Sequence, residues 1–288
     1  MRKVAVVIVL YFPKEENIAN KMEHLNGVEI IFVDNTPNLF RTFNNRCVYI
    51  SLGENKGIAY AQNKGIEEAL KRGCTHVVFF DQDSDIPKDY IHNILKEHVR
   101  IKDLYPNLAV LGPKVINLST GSEYKSAKIK IENNCKVVAS LISSGTIIET
   151  AILFSVGYLE ESLFIDYVDF EWCWRARSKG FLCCSTLNVS LAHKVGEKDF
   201  TFCGYPIILS APIRYYYQYR NFIWLSKRNY VPIQWKIKGF IKKLFGCFYI
   251  PIVSKHHWMV IKNIFLGIKD GLICKSYEEK NISLCERR

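Results

Sequence analysis

The 288-residue sequence lacks any apolar run of the roughly 18–20 residues that a membrane-spanning helix needs. The longest candidate, residues 245–253, is short, contains Pro251 and is flanked by lysines. The apolar N-terminal run at 4–12 is followed at once by Pro13 and no small-residue cleavage site, which favours a buried strand over a signal peptide. The 10 cysteines include no CxxC pair, so we expect reduced thiols in a cytoplasmic protein.

Acidic residues are scarce near the C-terminus. Residues 201–288 hold 15 Lys and Arg against 4 Asp and Glu, whereas residues 1–200 hold 24 of each sign. A neutral body with a basic, aromatic C-terminal region argues against nucleic-acid binding and predicts docking on an anionic membrane surface. We therefore expect a catalytic domain at 1–200 and a basic, mainly helical region at 201–288. The alternative is that the aromatic residues of this region only pack on the catalytic domain. The lysines expected at the lipid surface are Lys236, Lys238, Lys242 and Lys243.

The first part of the chain alternates short apolar runs with helical patterns, which is typical of βαβ units and a parallel sheet. Residues 4–11, 29–33, 49–52 and 77–80 predict strands, and residues 58–72 predict a helix that ends at Gly73. Ligands bind at the carboxyl ends of the strands in such sheets. Asp34 and the acidic turn at 81–85 each follow a predicted strand, so we expect both at one edge of the sheet.

Two short segments of this half have a pattern suited to binding phosphate or metal. Asp81 and Asp83 offer two carboxylates in one turn, as a hard divalent cation requires, although a solvent-exposed acidic turn is the alternative. Asn55 and Gly57 open the predicted helix, whose backbone N–H groups are suited to a diphosphate or a sugar hydroxyl. This segment is neither a P-loop nor GxGxxG, and an ordinary Asn-capped helix is its alternative.

A second acidic cluster lies in the aromatic segment 160–175 and consists of Asp166, Asp169 and Glu171. A carboxylate in an aromatic pocket is suited to general-base catalysis, whereas a carboxylate at a helix start is more often a cap. His193 follows downstream, where a structural role is the alternative to metal binding.

Together these segments resemble the inverting family 2 glycosyltransferases of the GT-A fold, an α/β fold with a mostly parallel central sheet. The resemblance rests on residues 6–11 with 33–35, on 55–65, on 80–84 and on 163–175 through Gly180. Three segments are most similar to the rhamnosyltransferase branch: the Asp-Gln-Asp-Ser sequence at 81–84, the Phe-Ile-Asp-x-Val-Asp-x-Glu-Trp sequence at 164–172 and the Tyr-rich segment 214–221.

The resemblance implies a role for each matching residue. Asp34 would contact the base of the sugar-nucleotide donor, and Asp83 with His193 would hold Mg²⁺ or Mn²⁺. Asp169 would be the base; because Val168 stands where the family usually has Glu, Asp166 is the alternative, and Glu171 completes the acidic cluster. The remaining implied donor-binding residues are Tyr11, Asn55, Gly57, Asn63, Asp81 and Gln82.

The implied reaction is inverting, metal-dependent transfer of L-rhamnose from dTDP-rhamnose onto a polyprenyl-diphosphate-linked saccharide in bacterial surface polysaccharide synthesis. The enzyme would be peripheral on the inner face of the cell membrane. A UDP-hexose or galactofuranose donor on the same fold is the first alternative. A non-catalytic basic protein that binds membrane or nucleic acid is a remote one.

Overall fold

The computed structural model describes residues 2–41, 46–117, 121–123, 128–193, 200–202, 205–207 and 209–273. The chain divides into two compact units. The N-terminal unit comprises Met1–Glu161 and Trp172–Val195, and the C-terminal unit comprises Ser162–Glu171 and Gly196–Arg288. The units divide near residue 196, whereas the boundary was expected at residue 200, and the assignment of residues 162–171 to the second unit was not predicted.

Among its described residues, the N-terminal unit contains nine strands and the helices that connect them. The strands are β1 (Val4–Leu10), β2 (Glu29–Asp34), β3 (Val48–Ser51), β4 (His76–Asp81), β5 (Leu108–Asn117), β6 (Lys128–Glu132), β7 (Cys135–Val138), β8 (Ile147–Glu149) and β9 (Leu182–His193). The helices are α1 (Glu15–His24), α2 (Ile58–Lys71), α3 (Tyr90–Leu104) and α4 (Thr150–Val156). Helix α5 (Val168–Ser178) begins in the residues of the C-terminal unit and ends in those of the N-terminal unit.

The nine strands form one sheet in the order β3-β2-β1-β4-β8-β5-β9-β7-β6. Strands β1, β2 and β4 are parallel neighbours, and their apolar residues are almost fully buried, as expected for strands covered on both faces. Leu10 pairs with Asp34 on one side of β1, and Val9 pairs with Asp81 on the other. The prediction that both acidic turns lie at one edge of the sheet is therefore confirmed.

Helix α2 approaches this part of the sheet closely because of one glycine. A Cβ atom added to Gly65 would lie 2.3 Å from Cγ1 of Val7, a buried residue of β1. Any larger residue at 65 would push the helix away from the sheet. The turn at the start of α2 therefore has a fixed position relative to the end of β1.

The C-terminal unit is mainly helical, as predicted. It contains a two-stranded ribbon of β10 (Phe200–Phe202) and β11 (Tyr205–Ile207), followed by α6 (Pro212–Ser226), α7 (Ile233–Val253) and α8 (His257–Ile273). Its core includes Tyr215, Tyr219, Val260 and Ile264. Helices α6 and α8 are in close contact at Gly267, which has no side chain. A Cβ atom at this position would lie 2.4 Å from the backbone oxygen of Tyr216. Within the described ranges, no helix has both the length and the apolar character required to cross a membrane.

Candidate active site

Asp34, at the end of β2, has a fully buried carboxylate. Oδ1 accepts the Thr36 N–H at 2.8 Å, Oδ2 accepts the Tyr49 hydroxyl at 2.9 Å, and the Arg41 Nε lies 3.6 Å from Oδ2. Burial, followed by this hydrogen bond to Asp34, raises the pKa of Tyr49 to about 12. A nucleobase can reach Asp34 only if a covering side chain moves, so the base contact stays a prediction.

The ends of β1 and β4 are joined by one side chain, that of Gln82. Its Oε1 accepts the Tyr11 N–H at 2.8 Å, and its Nε2 donates to the Tyr11 carbonyl at 3.1 Å. Tyr11 itself is 44% exposed, and its ring meets that of Phe12 edge to face at 4.8 Å. Gln82 thus binds the backbone beside a candidate donor-contacting ring, and Tyr11 remains available to a ligand.

The acidic turn after β4 has a buried lysine next to it. Asp83 is exposed and Asp81 is partly buried, while the Nζ of Lys21 on α1 is buried and donates to the Ser84 carbonyl at 2.9 Å. Burial lowers the pKa of Lys21, and the charges of Asp83, Asp85 and Asp81 oppose that shift. Lys21 was not predicted as a site residue, because nothing in the sequence of α1 distinguishes it from a solvent-exposed lysine.

The donor set of this turn fits a divalent cation that also binds a diphosphate. Within the described part of the chain, no group of three His, Cys, Asp or Glu side chains is arranged to hold a metal on its own. Mg²⁺ in nucleotide sites takes one or two protein carboxylates and completes its shell with water and phosphate oxygens. Asp81 and Asp83 supply such a pair. His193 ends β9, where its backbone pairs with Asn117, and its side chain lies outside the described atoms, so its metal role stays a prediction.

The start of α2 is shaped by hydrogen bonds from two asparagines. Asn35 donates to the Gly57 carbonyl and accepts the Lys56 N–H, each at 3.0 Å. Asn55 Oδ1 accepts the Gly57 N–H at 3.0 Å, and Gly57 has a φ of 87°, a conformation open to glycine. Asn35, which follows Asp34, therefore fixes this turn, a role that the sequence did not indicate.

Asn63, predicted to bind the donor, is buried and binds protein instead of solvent. Its Nδ2 donates to the Leu159 carbonyl and to Glu161 Oε1, both at 2.9 Å, and its Oδ1 accepts the Leu159 N–H at 3.0 Å. These bonds connect α2 to a segment nearly a hundred residues later. A direct donor contact by Asn63 stays a prediction, and the geometry favours a supporting role.

In the C-terminal unit, Asp166 is paired with Arg214 of α6. The guanidinium donates through Nη2 to Asp166 Oδ1 at 2.5 Å and through Nε to Oδ2 at 3.3 Å. This two-bond contact raises the pKa of Arg214 and uses both carboxylate oxygens of Asp166. Asp166 is therefore engaged in the arrangement least suited to accepting a proton from a substrate.

Asp169 and Glu171 lie in the first turn of α5 in different surroundings. Asp169 is partly buried, and its Oδ1 accepts the N–H of Phe170 at 2.9 Å. The N-terminus of a helix favours a negatively charged carboxylate. Glu171 is fully buried, accepts the Tyr230 hydroxyl at 2.7 Å and lies 3.5 Å from Arg228. Of the three predicted carboxylates, Glu171 and Asp166 each lie against an arginine. That Asp169 is the base stays a prediction.

Comparison with solved structures agrees with this architecture. The chain matches S. aureus TarS with a TM-score of 0.54 and 14% identity, covering 93% of the chain and 55% of TarS. It matches GalNAc-T7, solved with UDP, GalNAc and Mn²⁺, with a TM-score of 0.54 and 12% identity, covering 96% of the chain and 55% of GalNAc-T7. The chain thus spans about half the length of these structures, and at this identity they show the GT-A fold alone.

Sequence comparison gives the family. Residues 6–138 match the Glycosyl transferase family 2 domain. The chain is 31% identical over 291 aligned residues to the dTDP-rhamnosyl transferase RfbF of Shigella flexneri, covering 93% of the chain and 95% of that protein. It is 26% identical to the low-salt glycan biosynthesis hexosyltransferase Agl10 of Haloferax volcanii, covering 59% of the chain and 61% of that protein. In agreement with its fold and with the acidic turn at the end of β4, the chain belongs to glycosyltransferase family 2 and is a glycosyltransferase.

Proposed function

We propose that this glycosyltransferase transfers L-rhamnose from dTDP-rhamnose, with inversion, onto a polyprenyl-diphosphate-linked saccharide in bacterial surface polysaccharide synthesis. The observation that supports this donor is the 31% identity to RfbF across 93% of the chain, since that protein is named a dTDP-rhamnosyl transferase. The similarity extends beyond the domain match at 6–138 into the C-terminal unit. The proposal of a lipid-linked acceptor is supported by the exposed apolar face of α7 and the basic residues around it.

The residues proposed to bind the donor lie in the N-terminal unit. Asp81 and Asp83 are proposed to hold Mg²⁺ or Mn²⁺, which when bound offsets the charge that develops on the departing dTDP. Tyr11 is proposed to pack on the donor, and the first turn of α2, directly after Gly57, to offer backbone N–H groups to its phosphates. The supports of these groups, Gln82 and Asn35, keep them in place before the donor binds.

Asp169 is proposed as the general base. Its carboxylate takes the proton of the acceptor hydroxyl while that oxygen forms a bond to the anomeric carbon of rhamnose. The bond from the same carbon to the phosphate oxygen breaks on the opposite face, and dTDP leaves with the electron pair. The configuration inverts in this single step, so no residue of the chain needs to form a covalent bond to the sugar.

A donor screen tests the proposal. Calorimetry should give a dissociation constant for dTDP-rhamnose with Mn²⁺ at least about tenfold below those of UDP-glucose, UDP-galactofuranose and GDP-mannose, a difference of about 1.4 kcal/mol. EDTA should weaken that binding. Release of dTDP is then followed with water and with farnesyl-diphosphate-linked saccharides as acceptors. The 26% identity to a hexosyltransferase makes a UDP-hexose donor the alternative, and tighter binding of a UDP-sugar would establish it.

We also propose that the C-terminal unit docks on an anionic membrane surface. One face of α7 is apolar and exposed along its whole length, with residues at intervals of three and four and exposed fractions from 49% to 82%. This spacing places them on one side of a helix, as in helices that lie in a membrane interface. The residues are Ile233, Ile237, Phe240, Leu244, Phe248 and Ile252.

The charge around this face is suited to anionic lipid. Residues 209–273 contain 11 Lys and Arg and a single acidic residue, Asp270. Lys238 and Lys242 are exposed beside the apolar face. The other two lysines expected at the lipid surface form hydrogen bonds within the unit. Lys236 donates to the Arg228 carbonyl at 2.6 Å, and Lys243 donates to the Gln218 side chain at 3.1 Å. Burial and the neighbouring Lys242 lower the pKa of Lys243 to about 8.

Vesicle co-sedimentation tests the docking. We expect binding at low salt to vesicles of phosphatidylcholine with 30% phosphatidylglycerol, little binding to phosphatidylcholine alone, and loss of binding in 0.5 M NaCl. Lys238→Gln with Lys242→Gln should weaken partition about tenfold or more, since each basic residue near such a surface contributes about 1 kcal/mol. The matched control is Lys71→Gln with Lys88→Gln on the N-terminal unit. Equal binding to both lipids, or a dimer in solution without vesicle binding, would reject docking.

A further inference from the structure

The segment that leads into α5 has an unusual backbone. Phe164, Asp166 and Tyr167 have φ angles of 64°, 66° and 67°. This left-handed region is uncommon for residues other than glycine, and for bulky side chains it is an outlier. Three such residues within four positions persist only where the surroundings hold them, and such clusters are found at functional sites. The segment ends one residue before α5 begins and two before Asp169.

One buried side chain from α6 holds this segment. Asn221 is fully buried, and its two amide N–H groups are shared among three carbonyl groups of the segment. The acceptors are the oxygens of Leu163 at 2.8 Å, Ile165 at 2.8 Å and Asp166 at 3.3 Å. An amide that binds three carbonyls of one turn fixes the path of the backbone between them.

The neighbouring Arg220 sets the direction of the Asn221 amide. Its Nε and Nη2 donate to Asn221 Oδ1 at 3.0 and 2.9 Å, so the amide nitrogen must face the segment. Nη2 also donates to the Ser162 carbonyl at 2.7 Å. The guanidinium is held in turn by the Trp224 ring, whose centroid lies 4.3 Å away.

We propose that Asn221, oriented by Arg220, is a positioning residue for Asp169. The segment it binds is continuous with the first turn of α5, so a change in its φ angles would reorient the Asp169 carboxylate. This inference rests on the proposed role of Asp169 as base. Because Asn221 is fully buried, it would act on Asp169 through the backbone of residues 163–166.

A purely structural role makes a different prediction. If Asn221 only stabilised the unit, its removal would lower the melting temperature and leave turnover per folded molecule unchanged. A positioning residue lowers turnover in the folded protein and leaves donor affinity intact, because the proposed donor site lies in the other unit.

The experiment compares Asn221→Ala and Arg220→Lys with Ser226→Ala. Ser226→Ala is the matched control because it removes a 2.7 Å side-chain hydrogen bond from the same helix, to the Phe222 carbonyl, and leaves Arg220, Asn221 and residues 162–167 unchanged. At a temperature where all are folded, dTDP release from dTDP-rhamnose with water as acceptor should fall about 100-fold in Asn221→Ala, as a misplaced catalytic group predicts. We expect a fall of about tenfold in Arg220→Lys, because lysine keeps one donor.

The dissociation constant for dTDP-rhamnose should stay within twofold in every variant, and the control should match the parent in turnover. Turnover within threefold of the parent in Arg220→Lys and in folded Asn221→Ala would overturn the proposal. So would a parallel loss of donor affinity. If Asn221→Ala does not fold, Arg220→Lys decides alone by the same criteria.

Asp169→Asn is measured in the same assay to test the proposed base separately. If Asp169→Asn turns over normally, the proposed base is wrong. If Asp169→Asn is inactive while the Asn221 and Arg220 variants turn over normally, only the positioning role is contradicted.

Discussion

Replacing Asp83 with alanine should reduce sugar transfer by at least about a thousandfold and remove the metal-dependent part of donor binding. A metal bound to a departing diphosphate contributes several kcal/mol to the transition state, and about 4 kcal/mol corresponds to a factor of a thousand. The fold should not change, because Asp83 is exposed in a turn and makes few packing contacts. The melting temperature is therefore expected to stay close to that of the parent.

The measurement is calorimetry of dTDP-rhamnose with Mn²⁺ and with EDTA, combined with dTDP release. The parent should bind more tightly with Mn²⁺, and Asp83→Ala should bind equally weakly in both buffers. Asp85→Ala is the matched control, since Asp85 is exposed in the same turn and its charge also acts on Lys21. We expect Asp85→Ala to retain transfer within about threefold. Full activity of Asp83→Ala in chelated buffer would refute the metal role.

The strands that position the proposed donor site were predictable from sequence for a simple reason. Strands β1, β2 and β4 are covered on both faces, so each is a short uninterrupted apolar run bounded by polar residues. Strand β8 was not predicted. It has only three residues, Ile147–Glu149, and it lies antiparallel between β4 and β5. A three-residue strand has no periodicity to detect, and its partners are set by long-range packing.

The acidic residues of the site were also predictable, because their chemistry and their place at strand ends are visible in the sequence. The side chains that hold the surrounding loops in place could not be predicted in that role. Asn63 bonds to Leu159, 96 residues away, and Gln82 bonds to Tyr11, 71 residues away. An asparagine or glutamine in a donor-binding motif is equally consistent with a ligand contact or a backbone contact. Only the fold decides which group its amide meets.

The same limit explains the lysines of α7. Charge and composition indicated a basic helical region, but which lysines face outward depends on the helix face that packs against α6. Lys243 lies over the Tyr219 ring at 4.5 Å, whereas Lys242, the next residue back along the helix, is exposed. Adjacent residues on a helix point about 100° apart, so a count of charges cannot separate them.

The proposal that Asp169 is the general base leads to the second large expected effect. Asp169→Asn keeps the shape of the side chain and the oxygen that accepts the Phe170 N–H, but the amide cannot take a proton from the acceptor. General-base catalysis contributes about 10²–10⁴ in rate, so we expect dTDP release to fall about a thousandfold. Donor affinity should stay within about twofold, because the base acts on the acceptor.

Asp166→Asn separates the two carboxylates that the sequence left as alternatives. Asp166 is bound through both oxygens by Arg214, so its replacement removes the charge partner of a partly buried guanidinium and loosens the segment before α5. We expect turnover to fall less, by about tenfold, because the segment before α5 would shift while the proposed base is still present. We also expect a lower melting temperature, because the guanidinium loses its charge partner. Measuring dTDP release, donor affinity and melting temperature for both variants distinguishes the roles. An inactive Asp166→Asn beside an active Asp169→Asn would reverse them, and two active variants would place the base elsewhere in the chain.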